Sequence, residues 1–299
     1  MSSITKVALA GASGNLGPTI LEQLVEAGFQ VTVLTRPSSN HTFPPSVKVQ
    51  PVDYDSVESL TNALNGQDAV VSTLAAVAVE KQLHLVEAAA KAHVKRFIPS
   101  EFGSDTLHEK TSTLPIFAPK VKVLDALQKH SATPGGLTYT AVVNGPFLDW
   151  GIKVGFVLNV KEKSVNLFDG GERTFSTTTL PSIGKTVAAV LKHPEETKNR
   201  AVYVQSIATT SKKLLELGKE ALGADGWTEN KISSEEVAAK AWEELKQPQP
   251  NPDKFVFPLI QISIWGEGYG SHFQKLDNEL LGIPQLSEAE LVELIKSYA

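Results

Sequence analysis

One stretch near the start of the chain decides the fold: Val7-Ala8-Leu9-Ala10-Gly11-Ala12-Ser13-Gly14-Asn15-Leu16-Gly17, followed by residues 18–27. Four consecutive apolar residues at 7–10 are typical of a strand that is buried on both faces of a parallel sheet. The glycines predict a sharp turn, and the apolar residues at 20, 21, 24 and 25 have the spacing of a helix. Strand, turn and helix together predict a phosphate-binding turn, because glycine lets the backbone approach a pyrophosphate and a helix N-terminus offers unpaired N–H groups.

The glycines of this turn have the spacing GxxGxxG, which differs from the GxGxxG of the commonest dehydrogenases. A plain tight turn is the alternative interpretation, since glycine-rich turns occur in many loops. The strand before the turn and the helix after it favour dinucleotide binding, because the motif requires that context. The residues predicted to contact the cofactor here are Gly11, Ser13, Gly14, Asn15, Leu16 and Gly17.

The composition is that of an ordinary globular protein and excludes several classes of function. The chain has 299 residues, 41% of them hydrophobic and 20% charged, with a formal net charge of −5. It has no long basic run and no apolar stretch of about 18 residues, so we expect neither nucleic-acid binding nor a membrane span. Cysteine is absent and the seven histidines are scattered, so we expect no disulfide and no metal site. No signal peptide is recognisable, and the expected location is the cytoplasm.

Strand-like and helix-like segments alternate through the first half of the chain. The strand-like segments are 30–34, 47–52, 68–74, 94–99 and 137–143, and the helix-like segments between them include 55–64, 79–93 and 119–130. This rhythm predicts an α/β fold with a Rossmann-type, doubly wound parallel sheet. Ligands of such sheets bind at the carboxyl ends of the strands, where residues 11–17, 35–36, 72–74 and 99–103 fall. After residue 147 the pattern changes, which predicts a dinucleotide-binding domain over 1–147 and a smaller, mainly helical substrate lobe over 148–299, with a strand near 200–205 as a candidate for returning to the sheet.

Arg36 follows the second predicted strand, where NAD-binding folds carry an acidic residue that binds the ribose hydroxyls. A guanidinium suits a 2′-phosphate instead, through paired charge-assisted hydrogen bonds. The pattern therefore favours NADP over NAD. The alternative is a surface arginine that precedes a turn.

Lys120 and Lys122 lie in one predicted helix but on different sides of it. Lys120 shares its side with Val123, Leu124 and Leu127, whereas Lys122 shares its side with residues 125, 126 and 129. Apolar neighbours and the positive end of the helix both disfavour an ammonium group, so we expect a lowered pKa for Lys120, as suits proton transfer near neutral pH. The alternative is a lysine that extends its amine to water over an apolar stem.

The chain resembles the NmrA-like and isoflavone reductase-like group of atypical short-chain dehydrogenases. The residues that carry the resemblance are GASGNLG at 11–17, Arg36, RFIPSEFG at 96–103 and FAPKVKVLDAL at 117–127. The last two resemble motifs of plant phenylpropanoid reductases, and the segments around 266–270 and 280–282 resemble fungal members. The resemblance covers at least residues 4–150 and, more loosely, the whole chain.

This resemblance implies NADPH binding and reduction of an aromatic or conjugated small molecule, with Lys120 as general acid/base and also in contact with the cofactor. The further cofactor contacts that it implies are Ser72, Thr73, Leu74, Pro99, Ser100, Glu101, Phe102, Asn144, Pro146 and Phe147, with Gly145 in the same segment. Ile116 stands where the wider dehydrogenase group has its catalytic tyrosine, so Lys120 lacks that partner. We expect a small aromatic substrate and a monomer or homodimer. The alternative is a redox sensor that binds the dinucleotide and a protein partner without turnover.

Overall fold

The computed structural model describes residues 3–299, so residues 1 and 2 of the predicted first domain lie outside it. The strands are β1 (Lys6–Ala10), β2 (Gln30–Thr35), β3 (Lys48–Pro51), β4 (Ala69–Ser72), β5 (Arg96–Ile98), β6 (Thr138–Val143), β7 (Ser164–Phe168), β8 (Phe175–Thr177), β9 (Arg200–Tyr203), β10 (Ile207–Thr209) and β11 (Thr228–Ile232). The helices are α1 (Gly17–Glu26), α2 (Val57–Leu64), α3 (Gln82–Lys91), α4 (Ala118–Ser131), α5 (Leu148–Lys153), α6 (Leu180–Lys192), α7 (Ser211–Leu222), α8 (Ser234–Leu245), α9 (Val256–Trp265) and α10 (Glu288–Lys296). Within residues 3–299, no helix has the length and apolar character that a membrane span requires.

A parallel sheet of seven strands lies at the centre of residues 3–299. Its strand order is β3-β2-β1-β4-β5-β6-β9, and every neighbouring pair is parallel. The chain builds the sheet outward from β1 in one direction and then from β4 in the other. The predicted doubly wound α/β sheet is thereby confirmed, and its ligand crevice is expected where the winding reverses, between β1 and β4.

Apolar layers cover both faces of this sheet. In β1, Val7 and Leu9 belong to the core that α1 and α6 close, whereas Ala8 and Ala10 belong to the core that α2, α3 and α4 close. All four side chains are fully buried. Burial on both faces explains the unbroken apolar run at 7–10, because a strand with one wet face would alternate polar and apolar residues. The central strand thus positions the glycine turn that follows it.

Arg96 is a fully buried arginine that ties three neighbouring parts of the sheet together. Its guanidinium donates hydrogen bonds to the hydroxyls of Thr138 (2.9 Å), Thr140 (2.8 Å) and Thr197 (3.1 Å), and to the carbonyl of Pro194. Burial lowers the pKa of Arg96 to about 10. The acceptors lie in β6 and in the segment before β9. One side chain of β5 therefore connects β5 to β6 and to that segment.

The chain leaves the sheet after β6 and comes back to it through α6 and β9. Packed around a separate core are α5, α7, α9, α10 and two small sheets, in which β8 pairs with β10 and β7 pairs with β11. The sheet layer is therefore not continuous in sequence. A division of the chain into domains at residue 147 remains a prediction. Helix α6 and strand β9 follow that residue but pack with the seven-stranded sheet.

Candidate functional site

Hydrogen bonds join the loops that follow β4, β5 and β6 at the carboxyl edge of the sheet. The Ser100 hydroxyl donates to the Leu74 carbonyl (2.9 Å), and the Gly145 amide donates to the Gly103 carbonyl (2.9 Å). The Ser100 amide donates to Gln82 Oε1 (2.8 Å). The structure thus brings the predicted segments 72–74, 99–103 and 144–147 to one edge. Sequence reasoning missed Gln82, which is 1% exposed at the start of α3, because no motif marks it.

Two glycines of the turn after β1 are required by the packing of the turn itself. Gly11 has a φ of +84°, and a Cβ on it would lie 2.6 Å from the Thr73 carbonyl oxygen. A Cβ on Gly17 would lie 2.3 Å from the Gly11 carbonyl oxygen, whereas one on Gly14 would meet nothing closer than 3.5 Å. Residues 13–15 are exposed at the tip of the turn. Gly14 therefore leaves room on the outer side, where a phosphate would approach.

The N-terminus of α1 is uncapped within residues 3–299. Its N-cap is Leu16, no side chain of the described residues caps it, and no acidic residue lies in its first turn. Unpaired amides and the positive end of the helix dipole make such a terminus suitable for an anion. The donor groups at this turn therefore fit the pyrophosphate of a dinucleotide.

Arg36 is exposed one residue beyond β2, which pairs with β1. Its guanidinium makes no hydrogen bond or ion pair within residues 3–299. It lies close enough to the Tyr54 hydroxyl for its charge to lower the pKa of that group, against the larger effect of burial, which raises it. A positive group without a partner thus stands beside the strand that carries the glycine turn.

Helix α4 carries Lys120 to the loop that follows β5. The helix begins at Ala118, so Lys120 lies in its first turn. The Lys120 amine donates a hydrogen bond to the Glu101 carbonyl, and Nζ lies 5.8 Å from the centre of the Phe117 ring. Lys122 instead forms an exposed ion pair, with its Nζ 2.9 Å from Glu80 Oε1. The predicted difference between the two lysines is confirmed.

The environment of Lys120 favours the neutral amine. Its neighbours Val123, Leu124 and Leu127 are buried. Burial lowers the pKa of Lys120, and the negative charge of Glu101 opposes that effect. The predicted direction of the shift agrees with this environment, and its main cause is desolvation.

The remaining predicted cofactor residues differ in what their polar atoms do. Ser72 Oγ and Asn144 Oδ1 are buried and have no hydrogen-bond partner within residues 3–299. The Thr73 hydroxyl is engaged, since it donates to the Ala10 carbonyl (2.9 Å). Buried polar atoms usually have partners, so these two atoms mark the ends of β4 and β6 as places with unused hydrogen-bonding capacity.

The apolar members of the predicted set line the same edge. Pro99 and Phe102 are buried, whereas Leu74, Pro146 and Phe147 are half-buried. The half-buried members leave apolar surface at this edge against which a flat ring could lie.

Among the aromatic residues of the second half, Trp265 and Phe273 belong to the interior. Trp265 is 2% exposed and packs against Phe156 and Phe168, each with ring centres 5.1 Å away. Phe273 is 6% exposed and packs against Tyr203 at 5.4 Å. Trp150, half-buried and 6.5 Å from the Phe147 ring, lies nearer to the edge that carries the candidate site.

Comparisons with known proteins agree with this architecture. The model of the NmrA-like family matches residues 3–245. The chain is 32% identical over 299 residues to the oxidoreductase aprR of Aspergillus flavus, covering 97% of this chain and 98% of that protein. It is 31% identical over 297 residues to the oxidoreductase poxI of Penicillium oxalicum, covering 96% of this chain and 92% of that protein. The structure of AtPrR2 with NADP+ and (+)pinoresinol covers 100% of both chains, with a TM-score of 0.80 and 20% identity. The family resemblance seen in the motifs is confirmed, and the chain belongs to the NmrA-like family.

Proposed function

We propose that this protein is an NADPH-dependent reductase of an aromatic or conjugated small molecule, with Lys120 as its general acid/base. The observation that carries the proposal is the position of the Lys120 amine. It is bonded to the Glu101 carbonyl at the end of β5, two strands from the glycine turn, in surroundings that disfavour its charge. An amine of this kind near a dinucleotide site suits proton transfer that accompanies reduction.

Three features support NADPH as the cofactor. The glycine turn leaves space at Gly14, α1 has an uncapped N-terminus, and Arg36 has no partner among the described residues. The first two suit a pyrophosphate, and the third suits a 2′-phosphate. AtPrR2, whose fold this chain shares, is known with NADP+ bound.

In the proposed reaction, bound NADPH supplies a hydride for an electron-poor carbon of the substrate. The protein's own task is to move the compensating proton. Lys120 Nζ donates that proton to a substrate oxygen and becomes a neutral amine, which its buried surroundings tolerate. No tyrosine is needed in this scheme, consistent with Ile116 at the position four residues before the lysine.

The proposed substrate class is supported by the relatives and by the apolar edge of the site. AprR and poxI are named oxidoreductases, and AtPrR2 is known with (+)pinoresinol. In this chain, the rings of Phe117 and Phe147 belong to the segments that carry the site. A planar substrate could lie against such rings at distances typical of aromatic contacts.

Replacement of Lys120 tests the proposal directly. The assay is NADPH oxidation against enones, quinone methides and phenolic ethers, with Lys122→Ala as the matched control on the same helix. We expect Lys120→Ala to retain NADPH affinity, measured by fluorescence titration, and to lose turnover by roughly 10²–10⁴-fold. Lys122→Ala should keep wild-type turnover, because its amine is exposed and paired with Glu80.

Two results would contradict the proposal. Unchanged turnover in Lys120→Ala would remove this residue from the mechanism. NADPH binding without oxidation by any compound of the panel, together with a protein retained in a pull-down that responds to NADPH, would instead favour a non-catalytic redox sensor.

A further inference from the structure

Glu101 contacts the site with its backbone and places its carboxyl group in the interior. The residue is 2% exposed. Its carbonyl accepts the hydrogen bond from Lys120, while carboxylate Oε2 accepts a hydrogen bond from the hydroxyl of Thr106, which is itself 2% exposed. Oε1 accepts no hydrogen bond within residues 3–299. One residue therefore both holds the amine and carries an ionisable group beside it.

The charged groups around Glu101 come from three elements. Lys120 faces it from α4, Asp105 and His108 lie in its own loop, and Tyr203 reaches Asp105 from β9 with its hydroxyl 3.1 Å from Oδ2. Burial raises the pKa of Glu101 most strongly, Asp105 raises it further, and Lys120 and the Thr106 hydroxyl lower it. In turn, the Glu101 charge raises the pKa of Lys120 against burial. Glu101 and Lys120 therefore influence each other's protonation, each through its charge.

We propose that Glu101 is a positioning residue: its carbonyl fixes the Lys120 amine at the end of β5, and its buried carboxyl keeps that amine protonated for transfer. The expected effect on turnover rests on the proposed function. The expected effect on the protonation of Lys120 does not, because the Glu101 carboxyl and the Lys120 amine are both present in the free protein. Thr106 completes the arrangement by donating a hydrogen bond to Oε2 of the carboxylate.

Competitive labelling of the amines measures the effect without a substrate. The full-length protein is treated with acetic anhydride across a pH series, and labelling of Lys120 and Lys122 is followed by peptide mass spectrometry. Neutral amines react, so a lower pKa moves the labelling midpoint to lower pH. We expect Glu101→Gln to shift the Lys120 midpoint downward and to raise its labelling rate severalfold at neutral pH, while Lys122 is unchanged.

The control is Glu80→Gln, which removes the carboxylate paired with Lys122 on the same helix. It should leave the Lys120 midpoint at the wild-type value. Thr106→Val offers a second route that keeps the acid: without the hydroxyl, Glu101 ionises less readily, and the Lys120 midpoint should move in the same direction by a smaller amount. Equal Lys120 midpoints in wild type and both site variants, or no labelling of Lys120 at any pH, would overturn the proposal.

A substrate that turns over allows the consequence for catalysis to be measured. A general acid must be protonated, so the rate falls above its pKa, and Glu101→Gln should move the alkaline limb of the kcat profile to lower pH. Glu101→Asp should restore part of the shift. A purely structural role would lower kcat without moving the limb. A labelling shift in a protein that reduces no substrate would refute the proposed function and leave the coupling of the two residues standing.

Discussion

At the scale of single residues, Arg36, which is proposed to bind the cofactor, and Lys120, which is proposed to transfer a proton, lie in opposite environments. Arg36 is exposed and unpaired within the described chain, whereas Lys120 is packed on the apolar side of α4 with its amine bonded to a carbonyl. An exposed guanidinium is accessible to a phosphate, and it stays hydrated when no phosphate is bound. A buried amine has a shifted pKa whether or not a ligand is bound. Each arrangement suits its proposed role.

Replacement of Arg36 should change the choice between the two nicotinamide cofactors. We expect Arg36→Ala to weaken NADPH binding by about tenfold to a hundredfold, because it removes charge-assisted hydrogen bonds to the 2′-phosphate, and to leave NADH binding nearly unchanged. Both affinities can be measured by fluorescence titration. Lys48→Ala is the control, since Lys48 is an exposed cation at the amino end of β3, the strand next to β2, whereas Arg36 follows the carboxyl end of β2. An unaltered ratio of the two affinities would show that Arg36 does not bind the phosphate.

The buried Glu101 carboxyl should make stability depend on pH. Burial raises its pKa above the ordinary value of 4.5, so the folded protein keeps the proton where the unfolded chain has lost it. The corresponding stability is fully present below about pH 4.5 and is lost as the pH rises through the folded pKa. Over pH 4.5–7, the free energy of unfolding should therefore fall less in Glu101→Gln than in wild type, as measured by urea unfolding. Parallel curves for the two proteins would contradict this, and Glu80→Gln should follow the wild type.

At the scale of elements, those with a clear hydrophobic period were predicted well, whereas those without one were missed. The sequence predicts a helix over 211–222, and α7 spans Ser211–Leu222. The sequence Ser287-Glu288-Ala289-Glu290 has the pattern of a capping box, and both hydrogen bonds of that motif are present. Helix α9 was missed because its sequence, VFPLIQISIW, is apolar on nearly every side and shows no period of 3.6. Strand β11 was missed because it is polar and exists through pairing with the distant β7.

The loop after β5 explains why part of the candidate site was not predictable. Its motif indicated that Ser100 and Glu101 matter, but no periodicity shows that a carboxylate turns inward to Thr106. Gln82 likewise acquires its role through a bond to the Ser100 amide, 18 residues away. Such contacts depend on loop geometry, which the sequence specifies through packing rather than through a repeating pattern.

The same loop is fastened to the segment that follows α9. Lys110 donates to the Glu267 carbonyl and lies 4.3 Å from the centre of the Tyr269 ring, and the Thr111 hydroxyl donates to the Tyr269 carbonyl at 2.7 Å. Gly270 has a φ of +69°, and a Cβ there would lie 2.5 Å from the His108 ring. These contacts fasten the loop after β5 to the second half of the chain.

Two glycine substitutions distinguish the destabilisation caused by backbone strain from that caused by a clash with the His108 ring. Gly282 has a φ of +63° and nothing within 4 Å of an added Cβ, so Gly282→Ala should lower the free energy of unfolding by about 1 kcal/mol from strain alone. Gly270→Ala should cost about 1–2 kcal/mol more, because the His108 ring must also move. Urea unfolding measures both. Equal losses would show that the loop yields freely.

At the scale of the whole molecule, the later part of the chain completes the sheet. Helix α6 covers the same face as α1, and β9 pairs with β6. Arg96 connects β5 to Thr197, which lies 101 residues further along the chain. We therefore expect the two halves to unfold together rather than in separate steps.

Arg96→Lys tests this cooperativity. An ammonium cannot reproduce the planar fork that serves three threonines, so the free energy of unfolding should fall by about 2–4 kcal/mol. The four tryptophans all lie after residue 147, at 150, 227, 242 and 265. Arg96 lies in the first half of the chain. If the halves unfold together, tryptophan fluorescence and far-ultraviolet circular dichroism should nevertheless shift to the same lower denaturant midpoint. Separate midpoints would show two independent units.

The late arrival of β9 also bears on how the protein is made. Strand β6 is synthesised about sixty residues before its edge partner. At roughly 5–20 residues per second, a ribosome leaves that edge uncovered for several seconds. During this interval the growing polypeptide presents open backbone groups, and the Arg96 side chain lacks two of its four acceptors. Holding chaperones should therefore engage nascent chains most strongly between the emergence of β6 and that of β9.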